Sequence, residues 1–439
     1  MFAYYLRLGL RSLKRNPALT ALMVMTIGFG VAASMTTWSV FRAVSGDPIP
    51  WKSSKLFVPQ IDMWGPKSHE GDDTEPPNAM DFPDAIALMQ AHRAKLQSAI
   101  YQISPSVVPA QAGQHPINVG GHAVYGEFFP MVDAPFRYGS GWSADDDARR
   151  AQVTVISSKL NQKAFGGANS VGKTLDIEGR PYRVVGVLDD WNPQPRFYDV
   201  ADTGGFSDQT DDVFIPLQTA IGVGMSNDGN TNCMETPAES GFSGLQKSSC
   251  IWLEFMVELD DAAQVAAYRR FLDGYARQQQ QAGRFTWAPN NRLRSVPEFL
   301  DNQHVVPSDT KVSLLVALGL LLVCLVNTAG LLLAKFLRRA PEIGVRRALG
   351  ASRREIYTQF LLEASMIGLA GGVLGLVLTG LGVASVSWVL PRDIAALAQL
   401  DGSLLLLTLL VAIVATMLAG LYPTLRASRV QPAWQLKSN

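Results

Sequence analysis

Four stretches of this chain are long, apolar and almost free of charge, and they restrict its fold more than any other feature. Residues 18–41, 312–334 and 403–422 contain no Asp, Glu, Lys or Arg, and residues 356–390 carry only Glu363. About 20 apolar residues suffice to cross the hydrocarbon core of a bilayer. Backbone groups inside a bilayer must be satisfied within the segment, so each stretch is expected to be a helix. The first could instead be a cleaved leader, given the small residues Ala32, Ala33 and Ser34. It is too long for that, however, and the rest of the chain is also membranous.

Charge is sorted around these stretches. Residues 1–17 hold Arg7, Arg11, Lys14 and Arg15 and no acid, and residues 335–355 hold seven bases against Glu342 and Glu355. Residues 423–439 add Arg426, Arg429 and Lys437, whereas residues 42–311 carry 23 bases and 33 acids, a net of −10. Basic loops stay in the cytoplasm. The N-terminus, the 335–355 loop and the C-terminus are therefore expected inside, with residues 42–311 outside and 391–402 as a short outer turn. Leu6, Leu10 and Leu13 against Arg7, Arg11 and Lys14 make residues 2–15 an amphipathic helix on the inner membrane surface. The whole chain has no net charge, which gives no case for nucleic acid as a partner.

The outer region reads as a mixed α+β domain in one or two lobes. Residues 152–157 alternate like a strand, 158–165 read as a helix, and 174–177 with 182–188 read as a hairpin turning at 178–180. Residues 213–217 and 251–259 are further strands. Residues 262–281 form a helix, with Val265, Tyr268, Phe271, Leu272 and Tyr275 at helical spacing. Cys233 and Cys250 flank a Gly/Ser-rich loop and can pair in an oxidising compartment, while Cys324 reads as a small core residue. No Cys/His cluster points to a metal. His69, His92, His115, His122 and His304 are scattered and read as solvent-exposed.

Residues 167–174, G-A-N-S-V-G-K-T, match the phosphate-binding pattern through Gly167, Gly172, Lys173 and Thr174. That loop requires a strand before it and a helix after it. Here the order is reversed, so the match is read as false. Glu363 is expected to meet Arg353 or Arg354 at the inner interface rather than serve as an ion site. Asn327 reads as a hydrogen bonder between helices. Gly368, Gly371, Gly372 and Gly375 permit close helix packing and, beyond that, a dimer interface. The basic loop itself has a grammar. Pro341 and Glu342 suit a helix start, Gly350 ends that helix, and Ser352 with Glu355 forms a capping box for the next.

Residues 338–364 (R-R-A-P-E-I-G-V-R-R-A-L-G-A-S-R-R-E-I-Y-T-Q-F-L-L-E-A) resemble the hallmark of MacB/FtsX-type permeases of ABC transporters. Residues 164–188 resemble their extracytoplasmic domain, which accounts for the false loop, and residues 420–436 resemble their C-terminal end. Ala340 and Pro341 depart from the usual polar pair before E-I-G. The resemblance implies a bacterial inner-membrane protein of four transmembrane helices with a large α+β periplasmic domain between the first and second. It implies a non-catalytic subunit that binds no cofactor and works with a second permease copy or a homologous permease. ATP and Mg would be bound by a cytoplasmic ABC ATPase on a separate chain, since no phosphate-binding loop follows residue 422. Glu342, Ile343, Gly344, Arg346, Arg347, Leu349, Gly350 and Ala351 would form the coupling helix that docks on that ATPase. The expected function is export or extrusion, with a periplasmic adaptor and an outer-membrane channel as further partners. The alternatives are control of a periplasmic enzyme or sensor, and lipoprotein release.

Overall fold

The computed structural model describes residues 16–65, 74–109, 115–207, 209–306, 308–386, 388 and 402–428. The expected 2–15 helix, most of the 391–402 turn and the tail beyond 428 lie outside these residues. The chain divides into two compact units, residues 1–45 with 306–439, and residues 46–305.

In chain order, helix α1 (Pro17–Ser45) leads into the 46–305 unit. That unit holds one continuous twelve-stranded sheet rather than two lobes. Its strands are β1 (Leu56–Gln60), β2 (Leu96–Ile103), β3 (Ser106–Val108), β4 (Ile117–Asn118), β5 (Gly121–Val124) and β6 (Phe136–Gly139). They continue as β7 (Val153–Ile156), β8 (Thr174–Ile177), β9 (Arg180–Leu188), β10 (Val213–Pro216), β11 (Glu254–Glu258) and β12 (Arg292–Ser295). Their spatial order is β12-β1-β11-β2-β5-β10-β7-β9-β8-β3-β4, with β6 on β9. Pairing is antiparallel except for β10–β5 and β7–β9. Both faces of the central strands are buried. Along β11, Phe255 and Val257 join one apolar cluster while Met256 joins another, as the two-residue period of a strand requires. Helix α2 (Ser158–Phe165) precedes β8, and helix α3 (Ala262–Gln281) buries Tyr268, Leu272 and Ala276 in the first cluster.

A histidine is sealed in this domain. His122 on β5 is wholly buried, with Nε2 3.4 Å from Asp199 and Nδ1 3.2 Å from Asp211, contrary to its expected exposure. Arg196 reaches the same two carboxylates, and the Tyr198 hydroxyl donates to Asp211 at 2.7 Å. Burial alone would depress the imidazole pKa. The Asp211 and Asp199 charges outweigh that and push it up to about 10. Cys233 and Cys250 are joined as a disulfide.

The second unit completes its helices with α4 (Ser308–Leu337), α5 (Ala340–Ala348), α6 (Arg353–Val386) and α7 (Gly402–Ser428). Helices α1, α4, α6 and α7 are each long and apolar enough to cross a membrane. The last runs six residues past the expected end at 422, through Pro423. Met23, Ile27, Val31, Leu332, Phe336, Ile343, Ile356, Phe360, Ala364 and Ala412 form its core.

Candidate functional site: the helix between two spans

Helix α5 is built by local signals. Pro341 stands in its first turn, where a missing N–H costs nothing, and Glu342 lies at the positive end of the helix dipole. The helix stops at Ala348, and Gly350 takes φ +99°, a left-handed conformation that favours glycine. Ser352 and Glu355 then exchange backbone-to-side-chain hydrogen bonds of 2.9 and 3.2 Å, a complete capping box for α6.

The eight residues expected to meet a partner divide between two faces. Ile343 and Gly344 are buried, and Ile343 packs in the core with Phe336 and Phe360, whose rings lie 4.3 Å apart and tilted by 42°. Glu342 accepts from Arg346 at 2.7 Å, and Arg346 donates to Gln359 of α6 at 3.0 Å. These four residues therefore bind α5 to its own chain. Arg347 and Ala351 are half-buried, while Leu349 (83% exposed) and Gly350 face outward. Pro341, Val345 and Ala348 are also exposed and complete an apolar stripe with Leu349 at helical spacing. Arg338, Arg353 and Arg354 are exposed nearby in sequence. The sequence reading missed Val345. The four-residue spacing of Pro341, Val345 and Leu349 was the signal that marks it.

Glu363 does not meet Arg353 or Arg354. Those residues lie nine and ten positions earlier on the same helix, about 14 Å away at 1.5 Å per residue. Its partners come from across the turn. Lys335 Nζ is 2.8 Å from Oε1, and Arg339 Nη1 donates to Oε2 at 2.8 Å.

The small residues of α6 are used within the chain. A Cβ at Gly368 would stand 2.8 Å from Thr416, at Gly371 2.8 Å from Ile27, at Gly372 3.0 Å from Ala412 and at Gly375 3.3 Å from Val31. They seat α6 against α1 and α7, which leaves no room there for a second copy. Asn327 is instead exposed on α4 beside Val323 and Val326, with no hydrogen-bonding partner among the described residues. Gly167, Gly172, Lys173 and Thr174 lie where α2 ends and β8 begins, and Lys173 Nζ sits 5.4 Å over the Phe165 ring. Helix precedes strand, the reverse of a phosphate-binding loop.

Residues 20–273 match the model of the MacB-like periplasmic core domain, and residues 314–432 match the FtsX-like permease C-terminal domain. The chain belongs to the MacB/FtsX-type ABC transporter permeases. This MacB/FtsX-type permease is 24% identical over 431 residues to proteins called macrolide export ATP-binding/permease protein MacB from Escherichia coli O157:H7 and Shigella flexneri. The alignments cover 97% of this chain and 59% of each relative. The periplasmic region of MacB from Actinobacillus actinomycetemcomitans is a structural neighbour, at 14% identity and TM-score 0.37. It covers 59% of this chain and 96% of that one. With a MacB-like periplasmic core domain and four helices long and apolar enough to cross a membrane, the permease is a multi-pass inner-membrane protein with an α+β extracytoplasmic domain between its first and second spans.

Proposed function

We propose that this permease couples ATP hydrolysis by a separate cytoplasmic ATPase to motion of its periplasmic domain, in a complex that exports or extrudes its cargo. The apolar stripe of Pro341, Val345, Ala348 and Leu349 carries the reading. It lies on a helix whose other side is fixed to the spans. An exposed apolar face of this size on a loop helix suits a protein partner better than water. Exposed arginines at 338, 353 and 354 suit an acidic rim on that partner. Basic residues keep this loop, and with it both termini, in the cytoplasm. ATP and Mg belong to the partner's site.

Asn327 supports a pairing of two permease chains through α4. A carboxamide in lipid is best satisfied by another helix, and the exposed flank of α4 offers it to a second copy or a homologous permease. The relatives' names make a macrolide the first cargo to test, with a periplasmic adaptor and an outer-membrane channel as further partners.

The test is co-purification of an ATP-hydrolysing partner with the tagged full-length chain. Val345→Asp with Leu349→Asp is expected to strip that partner while leaving the permease inserted. Retention of the partner at the wild-type level would remove α5 as the docking element.

A further inference from the structure

A closed ring of polar contacts surrounds the junction of α5 and α6. Glu363 Oε2 accepts from Arg339 Nη1 at 2.8 Å, and Arg339 Nε lies 3.9 Å from Glu342 Oε2. Glu342 Oε1 accepts from Arg346 Nη2 at 2.7 Å, and Arg346 Nη1 donates to Gln359 at 3.0 Å. Gln359 and Glu363 are one turn apart on α6, which closes the ring. Lys335 ties the end of α4 to the same carboxylate at 2.8 Å, and the Lys335 and Glu363 side chains are only 1% and 2% exposed.

The ring holds α5 at both ends. Arg339 anchors its start and Arg346 its last turn, and both lead to α6. The helix therefore cannot pivot about either end without breaking a charged contact. Among the described residues, the Lys335 ammonium meets no polar group other than Glu363. A buried ion pair is a poor means of gaining stability, because a well-packed apolar pair of similar volume is often as good or better. Such a pair can instead hold one helix in a single register against another.

We propose that Glu363 is the positioning residue through which displacement of α5 reaches α4 and α6. The proposal rests on the reading of α5 as the docking helix. The pair Lys335→Met with Glu363→Leu removes the charges and keeps the volume, and Arg339→Gln opens the ring while leaving the Lys335–Glu363 pair intact. Both are made in the full-length permease purified with its ATPase, with Cys324→Ser and a fluorophore on Leu381→Cys of α6. The Lys335→Met/Glu363→Leu protein is expected to melt at or above the parent temperature and to keep its ATPase. Its fluorescence change on adding ATP and vanadate is expected to fall at least about fivefold, the lower end of ordinary coupling. Arg339→Gln is expected to lose the same signal, and it decides the matter if the double variant does not fold. A fluorescence change of parental size would overturn the proposal. Loss of the ATPase from the complex would also overturn it, by making Glu363 a scaffold for α5. Val345→Asp/Leu349→Asp, run in parallel, tests docking alone. Retention of the ATPase there defeats the docking reading without touching the fluorescence result.

Discussion

Buried acids, Asp202 near His122 and Asp81 beside Arg284, set an acid preference for the periplasmic domain. Asp202 and Asp81 are each pushed up to about 7, in both cases by burial first; Asp199 adds to the shift at Asp202 and Arg284 opposes it at Asp81. The folded domain holds those protons between about pH 4 and 7 while the unfolded chain does not, so stability rises as pH falls through that window. Asp211 has the opposite sign. Burial would raise it, but His122 and Arg196 hold it well below the usual range, and its contribution is lost only in strong acid. His122, pushed up to about 10, contributes fully below its ordinary pKa and loses that contribution as pH rises through 10. The domain should therefore be most stable at about pH 5. Tryptophan-fluorescence melts of the full-length protein should give a higher midpoint at pH 5 than at pH 8, and Asp202→Asn should narrow the gap. An unchanged gap would take Asp202 out of the account. None of this was readable in the sequence, because Asp199 and Asp211 reach His122 from a distant loop. Glu363 taught the same lesson in reverse. Its charge was legible, but its partners depended on how the chain turns after α4.

Helix packing in the membrane unit depends on missing side chains. Gly371 lets α1 approach until a Cβ would touch Ile27 at 2.8 Å. Gly371→Leu should cost about 1–3 kcal/mol through overpacking, seen as a lower melting temperature of the purified permease. Gly319 on α4 has nothing near it, and Gly319→Leu should leave that temperature unchanged. Leucine is the better helix former at both positions, so an equal loss in both would show that added side-chain bulk as such, not the close approach of α1, sets the cost. Four-residue spacing revealed that α6 packs closely but not against what, since a small residue looks the same facing α1 or a second copy. The exposed side of α4 makes the complementary case. If two permease chains pair through α4 as proposed, Asn327→Leu would remove an interhelical hydrogen bond of about 1 kcal/mol and should lower the yield of crosslinked permease pairs. An unaltered yield would move the pairing elsewhere. The caps of α5 and α6 were legible because capping is local, whereas the division of α5 into a bound and a free face was not.

For the molecule as a whole, the four spans and the acidic domain between the first two were legible because both follow from bulk composition. The sheet was only half legible. The segments β7 to β11 announced themselves by alternation, but β1 is buried along its whole length and pairs with β11 and β12, some 200 residues away. No local pattern marks such a strand. The disulfide belongs to this scale too, since it requires an oxidising compartment. It closes a 17-residue separation, so Cys233→Ser with Cys250→Ser should cost about 3 kcal/mol. The same placement predicts labelling. A cysteine at exposed Thr286 should react with a membrane-impermeant maleimide in intact spheroplasts, and one at exposed Arg353 should react only after the membrane is opened. In the proposed topology the seven bases of residues 335–355 set that orientation. Neutralising Arg338, Arg353 and Arg354 together should therefore weaken the asymmetry of labelling. If Arg353→Cys reacts from outside in the otherwise intact protein, α5 faces away from any cytoplasmic ATPase and the coupling scheme falls with the topology.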